Sequence, residues 1–341
     1  MPNTPTCIQE RVNLRTYNTL GVDCQARYFA EVATREELQN VLAWWRQKTL
    51  GLLLLGGGSN VVLGAEFNGL ALKCALRGRS VESLENGRIA LTLAAGENWH
   101  DTVMWSLHQG YYGLENLALI PGCVGAAPIQ NIGAYGVELK DRFLHLDAIH
   151  LETGELRRFS REACEFGYRD SVFKQAFKGQ YAIVSVTLCL TQTPELVLAY
   201  PALMEAMKSG AAATPLDVAE AVCNVRRSKL PDPIKIGNAG SFFKNPVVSA
   251  ARAQTLVAQH PKMPAHPVED GVKIAAGWLI EQAGYKGYQK GQAGVHDKQA
   301  LVLVNRGHAS GQDILALAQE LQEAVKQHYG IELDIEPQIY A

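Results

Sequence analysis

Apolar residues recur at helical spacing in five segments of the chain. In the longest of these, residues 311–329, an apolar stripe runs up to Gly330, which predicts a helix that ends at this glycine. Thr34 and Glu37 have the spacing of a capping box at the start of another helix. Helices are thus predicted after Thr34, at about 98–109, from Thr214-Pro215 onward, at about 274–283 and at 311–329.

Other apolar runs have the length or the alternation of strands. Leu52–Leu55 predicts a buried strand that continues directly into the glycine-rich residues 56–60. From 331 to 336, apolar and acidic residues alternate, which predicts a half-buried strand. Further strands are predicted at 144–151, 181–190 and 300–304, and Ser209–Ala213 has the composition of a linker. Strands and helices therefore mix along the chain.

The composition is that of a folded protein with large cores. The chain has 341 residues, of which 47% are hydrophobic and 19% charged, with a net charge of −2. This length predicts two or three domains of about 100–200 residues each. The charge balance argues against a general binder of nucleic acid or membrane surfaces. Residues 1–5 do not resemble a signal peptide and no apolar run spans a bilayer, so a cytoplasmic protein is expected.

Seven cysteines are scattered along the chain without any C-x-x-C pair. An odd number at irregular spacing favours reduced, mostly buried thiols over disulfides or a metal site. No metal is therefore expected.

Two glycine-rich stretches have features of ligand loops. Gly56–Gly58 follows a predicted strand, an order in which backbone amides can form an anion-binding nest. Neither G-x-G-x-x-G nor the P-loop motif occurs, so for these glycines alone a tight turn and a ligand loop are equally compatible. Residues 121–136 carry four glycines and no charge, which favours burial against a flat ligand over an internal loop that satisfies only itself.

A third stretch, residues 237–246, contains Ser241 directly after a glycine. This position fits an exposed hydroxyl, but the G-x-S-x-G motif of an α/β-hydrolase is absent. Taken alone, Ser241 is more typical of a turn serine than of a catalytic one.

Together and in this order, these stretches and their flanking residues resemble the UDP-N-acetylenolpyruvoylglucosamine reductase family over nearly the whole chain. The matching segments are Asn18–Gly21, Gly57–Asn60, Leu114–Leu117, Ile120–Gly122, Gln130–Gly136, Gly167–Ser171, Lys229–Pro231, Ala239–Pro246, Ala276–Ile280 and Ile335–Pro337. Tyr200 lies where the longer variant of the family has its tyrosine loop. Ala126-Ala127 departs from relatives that carry hydroxyl residues there, which would remove a side-chain contact to the cofactor phosphates and leave the backbone contacts.

The resemblance implies an α+β fold. Its first part would be an FAD-binding domain of the vanillyl-alcohol-oxidase or PCMH type at 1–208, with subdomains at about 1–75 and 76–208. A smaller α+β substrate-binding domain would follow at 214–330. A C-terminal strand at 331–341 would carry Glu336.

The implied reaction is the NADPH-dependent reduction of UDP-N-acetylglucosamine enolpyruvate to UDP-N-acetylmuramate, in peptidoglycan precursor synthesis. Hydride would pass from N5 of non-covalent FAD to C3 of the substrate. Arg169 and Glu336 would stabilise the enolate, and Ser241 would protonate C2. An ion pair with Asp170 is the structural alternative for Arg169, which the motif outweighs. Glu336 is taken to be protonated in the complex, because a carboxylate would repel the enolate.

The resemblance also assigns binding residues. Those for FAD would be Asn18, Thr19, Gly57, Gly58, Ser59, Asn60, Ile120, Pro121, Gly122, Gly125, Ala126, Ile129, Gln130, Asn131, Gly133, Ala134 and Ile183. Those for the diphosphate, sugar or uracil would be Tyr135, Tyr200, Lys229, Asn245 and Gln299. Lys229 with Arg226 and Arg227 is alternatively a basic helix end. His296 beside Asp297 is interpreted as structural. The partners would be the enolpyruvyl sugar and NADPH, and the protein would be a monomer that binds neither nucleic acid nor membrane.

Two alternatives stay open. A different oxidase of the same flavin fold would lack the Arg169, Ser241 and Glu336 set and often binds flavin covalently. The glycine loops here offer no histidine for such a bond, although Cys123 lies in one of them. A nucleotide-sugar-binding regulator that has lost catalysis is disfavoured by the presence of all three side chains.

Overall fold

The structure is a computed structural model, and it describes residues 4–207 and 213–340. Within these residues the helices are α1 (Arg35–Trp45), α2 (Trp99–His108), α3 (Pro201–Ala206), α4 (Pro215–Lys229), α5 (Ala250–Gln259), α6 (Ala276–Gln282) and α7 (Gly311–Tyr329). The strands are β1 (Ile8–Asn13), β2 (Gln25–Val32), β3 (Gly51–Leu55), β4 (Val61–Leu63), β5 (Glu66–Cys74), β6 (Arg79–Ser83), β7 (Arg88–Ala94), β8 (Gly133–Ala134), β9 (Val137–Glu138), β10 (Phe143–His150), β11 (Leu156–Ser160), β12 (Tyr181–Thr191), β13 (Gly237–Ser241), β14 (Val247–Val248), β15 (Ala265–Val268), β16 (Gly271–Ile274), β17 (Gln289–Lys290), β18 (Ala293–Val295), β19 (Val302–Asn305) and β20 (Gln338–Tyr340). The predicted mixture of helices and strands is confirmed.

The chain divides into two compact units, each built from several pieces of sequence. Unit 1 comprises residues 1–12, 26–57 and 68–228, and unit 2 comprises 13–25, 58–67 and 229–341. These bounds differ from the predicted domains at 1–208, 214–330 and 331–341. The buried face of α4, with Val218 and Val222, packs into the main core of unit 1, so the chain changes unit after this helix. The predicted linker lies outside the described residues except for Ala213.

Unit 1 contains two larger sheets. One has the strand order β1-β2-β5-β3, in which β3 and β5 are parallel, and the other is antiparallel with the order β11-β10-β12-β7-β6. Helix α1 covers the core beside the first sheet, and α2 and α4 pack into the core beside the second. A small hairpin, β8–β9, completes the unit. The first sheet thereby positions the glycine-rich loop at 56–60, which directly follows β3.

The helix boundaries follow the signals in the sequence. At α1, Thr34 Oγ1 accepts the Glu37 N–H at 3.1 Å, and the Glu37 carboxylate accepts the Thr34 N–H at 3.2 Å. At α7, Gly330 has a φ of +60°, as expected of a glycine that ends a helix. All four residues of the predicted stripe of α7 are fully buried: Ile314, Leu317, Leu321 and Val325. The capping box and the glycine stop are thus confirmed.

Unit 2 is built around an antiparallel sheet with the order β13-β19-β18-β17. A three-stranded sheet, β14-β16-β15, and helices α5 to α7 accompany it. The parallel pair β4–β20 joins Val61–Leu63 to Gln338–Tyr340, so two segments from opposite ends of the chain share one small sheet.

The predicted strand at 331–336 is wrong as an assignment, although its burial alternates as expected. Ile331 and Leu333 are buried while Glu332 and Asp334 are exposed. The backbone pairs through one bridge, Phe243 with Ile335, and the Leu333 carbonyl accepts a side-chain hydrogen bond from Gln322 of α7 at 2.6 Å. Two backbone hydrogen bonds flank the bridge, from the Lys244 N–H to the Asp334 carbonyl and from the Glu336 N–H to the Phe242 carbonyl, and a regular ladder forms only at β20.

Candidate active site

The loop after β3 presents unpaired backbone N–H groups. Within the described residues, no group accepts a hydrogen bond from the N–H of Gly57 or of Gly58. Gly58 has a φ of +62°, and a Cβ there would overlap the Tyr17 carbonyl oxygen. Glycine is therefore required at Gly58 by both the backbone conformation and the space. Ser59 and Asn60 follow, and the Asn60 carbonyl accepts the Gln338 N–H of β20 at 3.0 Å.

A second loop of unit 1 packs backbone to backbone against the first. A Cβ on Gly57 would lie 2.8 Å from the Gly122 Cα, closer than real side chains approach. The N–H of Gly122 also has no acceptor in the described part of the chain. Beyond it, Gly125 donates to the Ala95 carbonyl at 2.8 Å, which fixes the loop to the core. Two loops that approach this closely leave bare amides side by side, a suitable cradle for a diphosphate.

Leu119 directs the chain into this second loop. It has a φ of +58°, an unfavourable value for a leucine, and both of its backbone polar groups are held. Its N–H donates to His100 Nδ1 at 3.0 Å, and its carbonyl accepts from Arg226 Nε at 3.2 Å. The sequence interpretation treated Arg226 only as part of a basic helix end, and it missed His100 altogether. Ile120 is half-buried and Pro121 is exposed at the point where the loop begins.

The loop continues through short 3₁₀ turns at 124–126 and 128–130, where Ala126 is exposed and Ile129 and Gln130 are half-buried. The Ile129 carbonyl accepts the hydroxyl of buried Ser171 at 2.6 Å. Asn131 is fully buried, and its side chain hydrogen bonds to Glu138, Gly167 and the Lys140 N–H. Asn131 therefore organises the loop, and any contact with a cofactor is left to its backbone.

At three further predicted cofactor residues, the side chain contacts the protein itself. The Asn18 side chain is buried and bonds to the Leu14 and Val22 backbone, so it shapes its own turn. Thr19 donates its hydroxyl to the Asn238 carbonyl at 2.7 Å, which ties this turn to β13 within unit 2. Ile183 is a buried residue of β12 in unit 1.

Arg169 occupies a tight turn of unit 1 that is closed by the bridge between Gly167 and Asp170. Its φ is +53°, and Nη2 donates to the Gly133 carbonyl at 2.6 Å. Gly133 and Ala134 form strand β8, so the turn fixes the guanidinium beside this hairpin. The Asp170 carboxylate accepts from the Ser171 N–H and from Gln175 at 2.9 and 2.7 Å.

Ser241 and Glu336 are brought close along the backbone of unit 2. Ser241 is exposed at the end of β13, after a bulge at which Gly240 has a φ of +71°. The Phe242 carbonyl, one residue further, accepts the Glu336 N–H at 2.9 Å. Phe242 and Phe243 are fully buried and anchor this pairing. The structure thus joins two of the three predicted catalytic residues, while Arg169 belongs to unit 1.

Asn245 and Gln299 meet at the first turn of α6. Asn245 Oδ1 accepts the Ala276 N–H at 2.9 Å. Gln299 Oε1 accepts the Leu301 N–H at 3.3 Å and lies 2.9 Å from where a Cβ on Gly277 would be. Neither side-chain NH₂ group has a hydrogen-bond partner among the described residues. The geometry therefore fixes each amide through its oxygen and leaves its nitrogen available as a donor.

Tyr135 and Tyr200 form an aromatic pair within unit 1. Their ring centroids are 5.2 Å apart at an interplanar angle of 80°, an edge-to-face contact. Burial raises the pKa of Tyr135, so its phenol stays neutral and can donate a hydrogen bond. Lys229, the fifth predicted substrate residue, is the exposed last residue of α4.

His296 is held by its own loop. Its Nδ1 accepts the Lys298 N–H at 3.3 Å, and Nε2 lies 3.3 Å from Asp297 Oδ1. Burial lowers the pKa of His296. These contacts agree with a structural histidine.

The seven cysteines are free thiols, of which Cys24, Cys164 and Cys223 are buried and the others half-buried. In the part of the chain that the structure describes, no helix has both the length and the hydropathy of a membrane span. Nor does that part hold a cluster of three or more side chains of the metal-binding kind.

Family profiles match both parts of the chain. The profile described as "UDP-N-acetylenolpyruvoylglucosamine reductase, C-terminal domain" matches residues 232–340, and the profile described as "FAD binding domain" matches residues 26–160. The glycine cradle at Gly57 and Gly122 fits the second description, because bare amides suit the diphosphate of FAD.

Proteins that are similar over nearly the whole chain are named UDP-N-acetylenolpyruvoylglucosamine reductases, as is the first of these profiles. The UDP-N-acetylenolpyruvoylglucosamine reductase of Pseudomonas putida is 50% identical over 335 residues, covering 97% of this chain and 98% of its own. That of Chromobacterium violaceum is 48% identical over 332 residues, covering 96% and 97%. The crystal structure of the reductase from Thermus caldophilus matches with a TM-score of 0.67 and 25% identity, over 98% of this chain and 100% of that one. These similarities confirm the predicted fold class.

Proposed function

The chain belongs to the UDP-N-acetylenolpyruvoylglucosamine reductase family, and from this premise we propose which of its residues carry out the reaction. The family membership makes it an FAD-dependent oxidoreductase of peptidoglycan precursor synthesis. The proposal is that it reduces the enolpyruvyl ether of UDP-N-acetylglucosamine to UDP-N-acetylmuramate at the expense of NADPH. It further takes the enzyme to be a cytoplasmic monomer of the longer variant, with Tyr200 in the tyrosine loop.

The cofactor site is proposed at the two glycine loops. The N–H groups of Gly57 and Gly122 are unpaired within the described residues and are brought together by backbone packing, which supports their binding to a diphosphate. The other predicted cofactor residues lie on the same loops, on the 13–25 segment and on β12. When bound, FAD supplies the hydride that is added at C3 of the substrate.

Arg169 is the proposed cation for the developing negative charge. Hydride addition at C3 leaves charge at C2, which spreads onto the neighbouring carboxylate. A guanidinium is always charged and can bond a carboxylate with two parallel donors. The bond from Nη2 to the Gly133 carbonyl supports this role because it fixes the orientation of the group before substrate binds. The enolate is bound more strongly than the initial carboxylate, and this difference lowers the barrier.

Ser241 is the proposed proton donor to C2, and Glu336 the second group that stabilises the enolate. In protonated form Glu336 would donate a hydrogen bond to the substrate carboxylate. The observation that carries the proposal is the Phe242–Glu336 backbone hydrogen bond, which holds exposed Ser241 and half-buried Glu336 at neighbouring backbone positions. The two buried phenylalanines keep this arrangement rigid, as a site for a defined proton transfer needs.

The remaining predicted residues would bind the nucleotide sugar. Tyr135 and Tyr200 offer phenol donors, Lys229 offers a positive charge, and Asn245 and Gln299 offer amide N–H groups fixed through their oxygens. This set of neutral and cationic donors suits a ligand rich in phosphate and carbonyl acceptors.

The test separates the two half-reactions of the holoenzyme by stopped-flow measurement of flavin absorbance. For Ser241→Ala, we expect reduction by NADPH to stay within about twofold of the parent and oxidation by the enolpyruvyl sugar to slow by about a hundredfold or more. Ser80→Ala, at an exposed serine of β6, should change neither rate and is the matched control. Equal slowing of both half-reactions, or no slowing of the second, would contradict the role of Ser241.

A further inference from the structure

Asn116 is a buried polar side chain that no step of the proposed reaction uses. It is 1% exposed and lies in the short 3₁₀ turn Glu115–Leu117, between the fully buried Leu114 and Leu117. The Leu117 carbonyl accepts the indole N–H of buried Trp99 at 3.0 Å, which fixes the turn to the core. The turn that carries Asn116 is therefore anchored to the core through Trp99.

The amide nitrogen of Asn116 donates two hydrogen bonds to distant parts of unit 1. One goes to the Tyr135 carbonyl at 2.9 Å and the other to the Val197 carbonyl at 2.8 Å. Both hydrogens of the NH₂ group are thus used, each on a different segment. The first segment contains Tyr135, and the second leads directly to Tyr200.

Tyr135 and Gly136 form the two-residue turn of the β8–β9 hairpin, with φ values of +50° and +86°. Such a turn requires positive φ at both residues, which a tyrosine adopts only when its surroundings hold it there. A Cβ on Gly136 would lie 3.6 Å from Val197 Cγ1, so the turn also packs against the second segment. The hydrogen bond from Asn116 is accepted by the carbonyl of Tyr135, the residue with the unfavourable φ, and so stabilises this turn.

The second segment depends on Asn116 even more strongly. Residues 194–199 form no helix or strand, and within the described residues their one hydrogen bond is the one that Asn116 donates to Val197. Leu196, Val197 and Leu198 add apolar contacts to the core. At the end of the segment Tyr200 is 46% exposed and touches the Tyr135 ring.

We propose that Asn116 is a positioning residue that joins the 194–199 segment to the Tyr135 turn and thereby sets the geometry of the Tyr135–Tyr200 pair. The inference rests on the proposed function in one respect, namely that these two tyrosines bind the nucleotide sugar. Asn116 itself touches neither the substrate nor the cofactor in this account. Its loss should therefore weaken substrate binding and spare the chemical step.

The test uses the full-length holoenzyme with Asn116→Ala. Hydrogen exchange followed by mass spectrometry should show the amides of Leu203 and Met204, which donate to the Tyr200 carbonyl at 2.9 and 3.0 Å, exchanging at least about tenfold faster than in the parent. The KM for the enolpyruvyl sugar should rise about tenfold, equivalent to about 1.4 kcal/mol, with kcat within about threefold. Thr102→Val is the matched control, since Thr102 is buried in α2 and its hydroxyl has no partner in the described part of the chain. Should Asn116→Ala fail to fold, Asn116→Leu, of similar volume, gives the same test.

A double-mutant cycle with Tyr200→Ala decides between positioning and a general structural role. If Asn116 acts through Tyr200, the KM increase caused by Tyr200→Ala should fall to less than about threefold in the Asn116→Ala background. Independent increases that multiply would overturn the inference, as would unchanged exchange at Leu203 and Met204.

Failure of the proposed function looks different. If Tyr200→Ala and Tyr135→Phe leave the KM unchanged, the tyrosines do not bind the sugar, and the exchange measurement alone decides on Asn116. Faster exchange then supports the role of Asn116 in joining the 194–199 segment to the Tyr135 turn, and unchanged exchange overturns it. If Tyr200→Ala raises the KM while Asn116→Ala changes neither exchange nor KM, the inference fails and the proposed function stands.

Discussion

Replacement of Gly57 by alanine should disrupt FAD binding through a clash between two backbones. The added methyl would lie 2.8 Å from the Gly122 Cα and 3.4 Å from its carbonyl carbon. Carbon atoms pack at about 3.5–4.0 Å, so one loop must move by about 0.7–1.2 Å. No flexible side chain can absorb this shift, because the obstructing atoms belong to the main chain. The N–H groups of Gly57 and Gly122, which have no acceptor among residues 4–207 and 213–340, would then no longer face the same ligand.

The size of the effect follows from the hydrogen bonds at risk. A bond from a backbone N–H to a charged phosphate contributes about 1.5–3 kcal/mol. Loss of one such bond should weaken FAD binding by about 10- to 150-fold. Overpacking strain of about 1–3 kcal/mol should also lower the stability of the apoprotein.

The assay is titration of the apoprotein with FAD, followed by flavin fluorescence or calorimetry. Gly56→Ala is the matched control, since a Cβ on Gly56 would meet Cys123 and Ala126 at 3.5 and 3.6 Å, which is ordinary contact. If Gly57→Ala binds FAD within about threefold of Gly56→Ala, the two loops do not form the cofactor cradle and the reasoning is refuted.

Two further predictions concern titratable groups. Burial lowers the pKa of His100, whose Nδ1 accepts the Leu119 N–H, so the unfolded chain binds a proton more readily than the native protein. His100 should therefore reduce stability as the pH falls below its ordinary pKa of about 6.5, by at most about 1.4 kcal/mol per pH unit, until its lower native pKa is reached. Urea unfolding from pH 7.5 to 5.5 should show a shallower loss for His100→Gln, and an identical pH slope would contradict this role. Burial also raises the pKa of Cys24 to about 11 and that of Cys164 to about 12. Neither thiol should be alkylated promptly in the native holoenzyme at pH 8, where the thiolate fraction is about 10⁻³ or less. Rapid labelling of either cysteine in a peptide map would contradict the burial of its thiol.

Local chemistry made much of the fold predictable. Thr34 with Glu37, and Gly330 after α7, mark helix ends because each signal acts within a few residues. The division into units was not predictable from the linker, since it depends on which core receives α4. The same holds for 331–336, whose alternating pattern is correct for burial but whose backbone finds only the single bridge of Phe243 with Ile335 as a strand partner among the described residues.

The candidate site shows the same limit. The motifs identified Ser241 and Glu336, and the structure adds the backbone bond at Phe242 that holds them together. The motif predicts no separate role for Asn116, although a polar pair between buried leucines is itself a signal for an internal hydrogen bond. Its partners are far away in sequence, and no local pattern specifies them.

The β4–β20 pair has a consequence for synthesis on the ribosome. Val61–Leu63 is synthesised first, and its partner Gln338–Tyr340 follows only about 275 residues later. At about 5–20 residues per second, this strand stays unpaired for tens of seconds in a nascent chain. Unit 2 can therefore close only after residue 340 has been made, and a fragment that begins near residue 229 would lack the segments at 13–25 and 58–67. Expression of that fragment alone should give an aggregation-prone product with an open sheet edge.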